Sequence, residues 1–404
     1  MAAGWQAHLS VVKAQSVSAA VGSMRADSIA ELREKIMKIT QLEVIPFGIP
    51  IKKFADAYAE FHQSNAVLVK IYSDDGTVGF GEACAWEPEF YGETLESVSA
   101  ALEKYVAPRI IGLNPLDIAY VLAQVDAALA RVTCVKEGID LALFDLAGRI
   151  LKVPVYTLLH GSFRERIPIA CEIGIDRPEV MAADAQRLLK MGVRVIKVKG
   201  SDQINEDIKR VKLVREAVGD RASLRLDPNA HWTTHGTIRA MRELEDCDLE
   251  FLEQPVHGLD LNGMAKIRGE IGVPLMADES IWTPHDVLEL ARREAADIIN
   301  IKISKTCGLL MAKKIEAVAE TVGLPCVVGT EIEPGFSLAA KLHLAASLKH
   351  LPFACEFTEL SLLQANILKQ KIEIEDGCVR VPQSPGFGVE LDEEALAKYR
   401  IALT

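Results

Sequence analysis

The sequence predicts an α/β protein in which a closed (β/α)8 TIM-type barrel follows a smaller α+β domain. Its 404 residues exceed the roughly 250–300 residues over which one hydrophobic core usually grows, so two domains are expected. From about residue 165 onward, short apolar runs alternate with stretches of helical period at a spacing of about 25 residues. Eight such units in succession favour a closed barrel over an open doubly wound sheet.

The composition is that of a globular protein whose main partner is neither nucleic acid nor an anionic membrane. Hydrophobic residues make up 49% of the chain, charged residues make up 25%, and the formal net charge is -12. The 8 cysteines are scattered singly, so we expect free thiols in a reducing cytoplasm rather than disulfides or a zinc site. No run of about 18 apolar residues occurs, so no membrane span is predicted.

Residues 1–36 are expected to be an N-terminal extension that is either disordered or a mis-assigned start. They lack the basic start and the solid apolar stretch of a signal peptide. The segment "MKITQLEVIPF", which begins at Met37, already has the pattern of the first strand of a domain.

Three segments are predicted after this extension. Residues 37–160 form an α+β capping domain, in which residues 38–83 alternate as antiparallel strands do, "SDDGTVG" forms a hairpin turn, and helices follow. The barrel covers residues 161–365, and residues 366–404 return to the capping domain through short strands and a terminal helix. The eight predicted barrel strands cover residues 167–174, 193–200, 223–229, 248–255, 274–280, 297–304, 325–331 and 352–357.

Charged residues lie at the carboxyl ends of five consecutive barrel strands, which is where the active sites of such barrels lie. They are Lys197 and Lys199 on strand two, Asp227, Glu253 and Asp278 at the ends of strands three, four and five, and Lys302 on strand six. Three converging carboxylates repel one another unless a hard cation binds them. The pattern therefore predicts a site for Mg²⁺, with Mn²⁺ as an alternative.

The lysines are expected to flank this metal site from opposite sides. Lysine is rarely buried without a partner, and a lysine near a second lysine and a metal has a lowered pKa, so that its neutral amine can act as a base. Asn229 and Glu279 are expected to support the neighbouring metal ligands, with a simple turn role as the alternative for Asn229.

Seven further residues are candidates for contacts with a substrate. The aromatic Tyr58, Phe61, Trp86 and Tyr91 should reach the barrel mouth from the capping domain, and packing within that domain is the alternative explanation. The acidic residues after strands seven and eight would orient Lys302, contact the substrate or remain solvated; they are Glu331, Glu333 and Glu356.

These motifs resemble those of the enolase superfamily, specifically its muconate-lactonizing subgroup, the mandelate racemase/muconate lactonizing enzyme family. The resemblance rests on "IKVKG", "LDPN", "LEQP", "ADES" and "NIKISKTCGL", and it extends over residues 37–404. It implies a barrel whose last βα unit is modified. It also implies the following roles: Mg²⁺ held by Asp227, Glu253 and Asp278, Lys199 as the base on one face of the substrate, Lys302 as acid or base on the other, and Lys197 as an electrostatic partner.

The resemblance also implies abstraction of a proton next to a carboxylate to give a metal-stabilised enolate. Two lysines on opposite faces would invert the carbon, so racemisation or epimerisation of an amino-acid derivative is the leading hypothesis. A muconate-type cycloisomerase and a syn-dehydratase of the o-succinylbenzoate synthase type are the alternatives, because "ACEFTEL" is more similar to the cycloisomerases than to the Asp-x-Asp of dipeptide epimerases. We expect a small-molecule carboxylate substrate, a cytoplasmic location and a homo-oligomer.

Two other functional classes are disfavoured. A barrel metallohydrolase would need an HxH motif on strand one, and "IACEIG" has none. A non-catalytic scaffold would be expected to have lost metal ligands or lysines, and all of them are present.

Deletion of residues 1–36 should leave folding and activity intact, because the first predicted strand begins after them. Thermal unfolding and turnover of the shortened and the full chain would be compared. A large loss of either property would contradict the prediction.

Overall fold

The computed structural model describes residues 37–85 and 87–403, so the predicted extension over residues 1–36 and the candidate Trp86 lie outside the described residues. The described part has the predicted fold class, with an antiparallel sheet domain followed by a nearly closed parallel barrel. The predicted segment boundaries at residues 160 and 365 stay predictions.

An antiparallel meander of three strands begins the capping domain. The strands are β1 (Ile39–Ala55), β2 (Glu60–Ser73) and β3 (Val78–Cys84). The predicted hairpin joins β2 to β3, and its Gly76 has a φ of 85°, a conformation that favours glycine. The carboxylate of Asp75 accepts the backbone N–H of Thr77 at 2.9 Å, which closes the turn.

Helices pack against all three strands of this sheet. They are α1 (Pro88–Tyr91), α2 (Leu95–Ala101), a π-helical turn (Leu102–Val106), α3 (Ala107–Ile110), α4 (Ile118–Ala128), α5 (Thr133–Leu151) and α6 (Val155–Leu158). Helix α5 lies directly on β3 because Gly79 and Gly81 have no side chains. A Cβ at these positions would lie 2.3 Å and 2.2 Å from the carbonyl oxygens of Ala142 and Gly138.

Eight parallel strands form the barrel, as predicted. They are β4 (Arg166–Ile173), β5 (Val195–Lys199), β6 (Ser223–Asp227), β7 (Leu249–Glu253), β8 (Leu275–Ala277), β9 (Ile298–Ile301), β10 (Cys326–Val328) and β11 (Cys355–Glu356). Each pairs with the next in sequence from β4 to β10, and β11 pairs with β4 and lies beside β10, so the barrel is nearly closed.

Long helices follow the first seven barrel strands. They are α7 (Pro178–Lys190), α8 (Ile204–Val218), α9 (Thr234–Glu243), α10 (Leu261–Glu270), α11 (Pro284–Arg292), α12 (Leu309–Val322) and α13 (Gly335–Ser347), with 3₁₀ turns at Gly219–Arg221 and Glu245–Cys247. After β11 only a single-turn helix occurs, α14 (Glu359–Leu362). The last βα unit is therefore modified, as the resemblance implied.

The C-terminal segment contacts both parts of the chain. Strand β12 (Cys378–Arg380) pairs antiparallel with β4 of the barrel. Helix α15 (Glu393–Tyr399) packs near the capping sheet, where Glu393 pairs with Lys70 at 3.1 Å. Within residues 37–85 and 87–403, no helix has the length and apolar character needed to cross a bilayer.

Two buried carboxylates of the capping domain bind the starts of barrel helices. Glu82 of β3 accepts the backbone N–H groups of Phe336 and Ser337 at 2.8 Å and 3.0 Å, at the start of α13. Asp140 of α5 accepts that of Leu309 at 2.6 Å, at the start of α12. Because the first N–H groups of a helix have no partner within the helix, these carboxylates fix the capping domain on the barrel.

The fully buried His343 of α13 predicts a pH dependence of stability. Its Nδ1 accepts the backbone N–H of Tyr156 at 3.2 Å, its Nε2 lies 3.1 Å from the carbonyl of Phe387, and burial lowers its pKa to about 4. An unfolded histidine has a pKa of about 6.5, so the unfolded chain binds a proton that the folded chain does not as the pH falls from 6.5 to 4. This histidine should therefore remove about 3 kcal/mol of stability across that window.

His343→Gln should flatten the stability profile over this range, measured by urea unfolding at successive pH values. The control His285→Gln replaces an exposed histidine and should keep the slope of the parent protein. Equal slopes in the two variants would show that the buried imidazole does not cause the dependence.

Candidate active site

Lys197 lies at the centre of a buried ring of carboxylates inside the barrel. Its Nζ lies 2.7 Å from Glu172 of β4, 2.9 Å from Glu253 of β7, 2.9 Å from Glu356 of β11 and 3.5 Å from Asp227 of β6. The side chain is fully buried, which is tolerated because four carboxylates surround its ammonium group.

Lys199 and Asp227 form the next pair toward the mouth of the barrel. Both are at the ends of adjacent strands in register, and Lys199 Nζ lies 2.7 Å from Asp227 Oδ2. Asn229 donates its backbone N–H to Asp227 Oδ1 at 2.9 Å and its side-chain amide to Oδ2 at 3.2 Å. Asn229 has a φ of 44°, which asparagine tolerates better than most residues.

Asp278 pairs with two lysines at the opposite side of the barrel. Lys302 Nζ lies 2.9 Å from Asp278 Oδ2, and Lys305 Nζ lies 2.5 Å from Oδ1. Burial raises the pKa of Asp278, but these two ammonium groups outweigh that effect and hold the pKa below its ordinary value. Gln254 accepts the backbone N–H of Asp278 at 2.9 Å, so the backbone and the side chain of Asp278 are both fixed.

A small cavity lies between the capping domain and the barrel mouth. Lys199 and Lys302 both line it, from strand β5 and from the end of β9, four strands away around the barrel. Its other lining residues are Phe54, Asp56, Tyr58, Glu87, Phe90, Glu172, Asn229, Thr330, Glu331 and Ile332.

The structure places the remaining substrate-contact candidates in different surroundings. Tyr58 lines the cavity and donates its hydroxyl to Glu279 Oε1 at 3.1 Å. Phe61 lies in the core of the capping domain. The hydroxyl of Tyr91 lies 2.8 Å from the hydroxyl of Ser304, and Tyr91 lines a separate groove of about 630 Å³ between capping and barrel helices.

The three acidic candidates also differ from one another. Glu331 lines the cavity with its Oε1 2.6 Å from Lys302 Nζ. Glu333 is buried and accepts a hydrogen bond from Lys341 at 2.8 Å. Glu356 lies inside the barrel, where it contacts Lys197.

The carboxylate partners of Lys199 and Lys302 raise the pKa values of both lysines, and the lowering expected beside a metal stays a prediction. Burial by itself lowers the pKa of Lys199, but Asp227 raises it above its ordinary value. Burial also lowers the pKa of Lys302, but the carboxylate of Asp278 outweighs that effect and raises the pKa above its ordinary value. Both amines are protonated in this arrangement, so either can act as a base only when its carboxylate partner is bound to another cation.

The donor set at the strand ends has the chemistry that a hard divalent cation prefers. All of its side-chain donors are oxygens, and Oε2 of Glu279 is buried without a hydrogen-bond partner among the described residues. Burial is the largest cause of the raised pKa of Glu253, and the carboxylate of Asp227 is the next. The carboxylate of Asp278 raises this pKa further, so several negative charges lie close together at the strand ends. Within the described ranges no three acidic, thiol or imidazole groups stand at metal-ligand spacing, since ammonium groups such as Lys197 lie between the carboxylates.

Several polar residues of the site were missed by the sequence reasoning. They are Asp56, Glu87, Glu172, Gln254, Asn300 and Lys305. Glu172 in "IACEIG" and Asn300 in "DIINIKIS" are polar residues within apolar strand runs, and that contrast was the available signal. Lys305 and the residues of the capping loops had no comparable signal.

Two family models match the chain. One is described as "Mandelate racemase / muconate lactonizing enzyme, N-terminal domain" and matches residues 39–160. The other is described as "Enolase C-terminal domain-like" and matches residues 180–395.

Characterised relatives match nearly the full length. The chain is 32% identical to an N-succinyl-L-Arg/Lys racemase from Bacillus cereus, over 90% of this chain and 98% of the relative. A muconate lactonizing enzyme from Pseudomonas fluorescens, solved with muconolactone, is similar with a TM-score of 0.88 and 30% identity, over 91% of this chain and 100% of that one. A dipeptide epimerase from Enterococcus faecalis, solved with Mg and the dipeptide L-Leu-L-Tyr, has a TM-score of 0.83 and 33% identity, over 87% and 99%.

Lys305→Met should destabilise the protein by about 3–5 kcal/mol, because it removes a fully buried ammonium group from Asp278 while keeping similar volume. The matched control Lys349→Met breaks an exposed pair with Glu320 (3.2 Å) and should cost less than about 1 kcal/mol. Both would be measured by urea unfolding in the presence of EDTA. Similar small losses in the two variants would argue against a structural role for Lys305.

Proposed function

The chain is an isomerase of the mandelate racemase/muconate lactonizing enzyme family, within the enolase superfamily. From this premise we propose that it racemises or epimerises an amino-acid derivative at the carbon next to a carboxylate. The observation that carries the proposal is the position of Lys199 and Lys302. Both line one cavity, and they reach it from strand positions four strands apart around an eight-stranded barrel. A substrate carbon between them has one amine on each face.

Asp227, Glu253 and Asp278 would hold a Mg²⁺ ion, with Mn²⁺ as a substitute. A divalent cation there supplies positive charge next to the substrate carboxylate as negative charge develops on it. Binding of Asp227 to the cation would remove the largest influence that raises the pKa of Lys199. Burial, Lys197 and Lys302 then lower that pKa against the opposing effect of Glu172, which makes the neutral amine more accessible.

The proton transfers are assigned to the two cavity lysines. In one direction Lys199 Nζ takes the proton from the α-carbon, and the ammonium of Lys302 delivers a proton to the opposite face. In the reverse direction the two lysines exchange roles. Lys197 contacts four carboxylates and does not line the cavity, so its role is to hold these carboxylates in place.

The residues at the end of strand β11 favour a substrate that is an amino-acid derivative without a free ammonium group. That strand ends in a single carboxylate, Glu356, whose Oε2 lies 2.9 Å from Lys197 and whose Oε1 lies 3.7 Å from Arg225. Because Glu356 is engaged inside the barrel, it is not available to bind a substrate amine. The similarity to an N-succinyl amino-acid racemase supports the same class of substrate.

A muconate-type cycloisomerase is the second candidate. The similarity to the muconate lactonizing enzyme, with its TM-score of 0.88, favours it, and so does the sequence "ACEF" at β11. Such a reaction needs only one lysine to exchange a proton, so the two candidates differ in whether the second lysine is used.

Incubation of the enzyme with Mg²⁺ in D₂O should place deuterium at the α-carbon of recovered N-acyl amino acids, observed by NMR or mass spectrometry. Lys199→Ala should stop exchange from one enantiomer and Lys302→Ala from the other, each by about 100-fold or more, because each removes the base of one face. EDTA should abolish exchange, and added Mg²⁺ should restore it.

Lys349→Ala, at an exposed position, is the control and should exchange both enantiomers at the parent rate. Absence of exchange from every N-acyl amino acid and dipeptide, combined with turnover of cis,cis-muconate, would replace the epimerase by the cycloisomerase.

A further inference from the structure

A second buried lysine network lies next to the active site, in residues that the proposed reaction does not use. Its centre is Lys341 of helix α13, which is fully buried. The Nζ of Lys341 lies 2.7 Å from Glu359 Oε1, 2.8 Å from Glu333 Oε2 and 2.8 Å from the hydroxyl of Thr330. One ammonium group therefore joins α13, α14 and the loop that follows β10.

This network fixes the backbone of that loop, residues 329–334. Glu333 Oε2 accepts the backbone N–H of Glu331 at 2.8 Å, and the hydroxyl of Thr330 accepts that of Ile332 at 3.0 Å. The hydroxyl of Ser64, on β2 of the capping domain, donates to the carbonyl of Ile332 at 2.8 Å. The loop is thus bound from the barrel side by Lys341 and from the capping side by Ser64.

The side chain of Glu331 leaves this fixed loop and reaches the active site. Its Oε1 lies 2.6 Å from Lys302 Nζ, which has only one other ion-pair partner among the described residues, Asp278. Lys199, on the other face, pairs instead with Asp227 and Glu172, and neither of these carboxylates forms an ion pair with Lys341 among the described residues. Glu172 is linked to the start of α14 by its backbone N–H, which donates to the hydroxyl of Thr358 at 3.0 Å, while its carboxylate faces the lysines.

We propose that Lys341 is a positioning residue that acts through Glu333 and Glu331 to fix the ammonium group of Lys302, and that it therefore controls proton transfer on one face of the substrate only. The proposal rests on the proposed function in assigning each lysine to one face. Lys341 itself does not line the cavity, so it touches neither substrate nor reacting atoms.

The consequence of removing the charge is local. Without the ammonium group, the buried carboxyl groups of Glu333 and Glu359 face each other without a cation, and the loop shifts to relieve their repulsion. Glu331 moves with the loop, and displacement of a group that orients a reacting side chain typically costs about 10- to 100-fold in activity.

Lys341→Met is the test variant, and α-proton exchange would be measured from each enantiomer of an N-acyl amino acid in D₂O. Exchange should fall about 10- to 100-fold for the enantiomer that Lys302→Ala silences, and it should change less than about 3-fold for the other. Lys341→Arg restores the charge and should recover most of the lost rate. An equal loss on both faces would overturn the proposal, since a general structural defect affects both.

Arg149→Met is the matched control. Arg149 is also a mostly buried cation bound to two carboxylates, Asp145 at 2.7 Å and Glu390 at 3.0 Å, but it lies in the capping domain away from the cavity. This variant should lose stability while keeping the parent ratio of the two exchange rates. Glu331→Gln, which keeps the loop contacts of Lys341, should reproduce the one-face loss, and combining it with Lys341→Met should add little.

Backbone hydrogen exchange tests the anchoring without any turnover. The N–H groups of Glu331 and Ile332 should exchange faster in Lys341→Met than in the parent or in Arg149→Met. Unchanged protection of both groups would overturn the proposal. If the parent enzyme exchanges neither enantiomer of any substrate, the proposed function fails by itself, and the protection of these two groups still decides whether Lys341 fixes the loop.

Discussion

Burial of an ammonium group in a protein interior costs several kcal/mol unless carboxylates surround it. At this barrel mouth, ammonium groups and carboxylates alternate, so that each buried charge has opposite neighbours. Lys197 alone contacts carboxylates from β4, β6, β7 and β11. These four carboxylates surround Lys197 only when their strands are arranged in a closed barrel. Closure of the barrel and stabilisation of the buried ammonium group therefore depend on each other.

The alternation also separates residues that hold charge in place from residues that can react. Lys197 and Lys305 are fully buried and surrounded by acceptors, and their ammonium groups are fixed. Lys199 and Lys302 lie further out, with small exposed fractions of 5% and 4%, and both border empty space. Lysine side chains therefore have two roles in this barrel, and the depth of each lysine determines whether it stabilises carboxylates or can react.

The fold and the inner site were largely predictable from sequence, because both follow from local pattern. A parallel barrel places the ends of its strands at one rim, so Asp227, Glu253 and Asp278 could be assigned to that rim from spacing alone. The ion pairs could not be predicted in this way. That Glu356 meets Lys197 depends on β11 pairing with β4, elements that are distant in sequence. Lys305 lies in a turn after β9, where no periodicity indicates direction. The charge state of the lysines depends on which carboxylates lie beside them in the folded barrel, and no sequence pattern encodes that.

The final segment of the chain has a consequence for how the protein is made. Strand β12 completes the hydrogen bonding of β4, although the ribosome synthesises it about 200 residues later. The backbone N–H of Ile401 binds the carbonyl of Pro46 in the first strand at 2.9 Å. A nascent chain emerging from the ribosome thus carries an unpaired edge on its earliest barrel strand for about half of its synthesis. Exposed strand edges invite pairing with other chains, so the interval before release is when this protein is most in need of a chaperone.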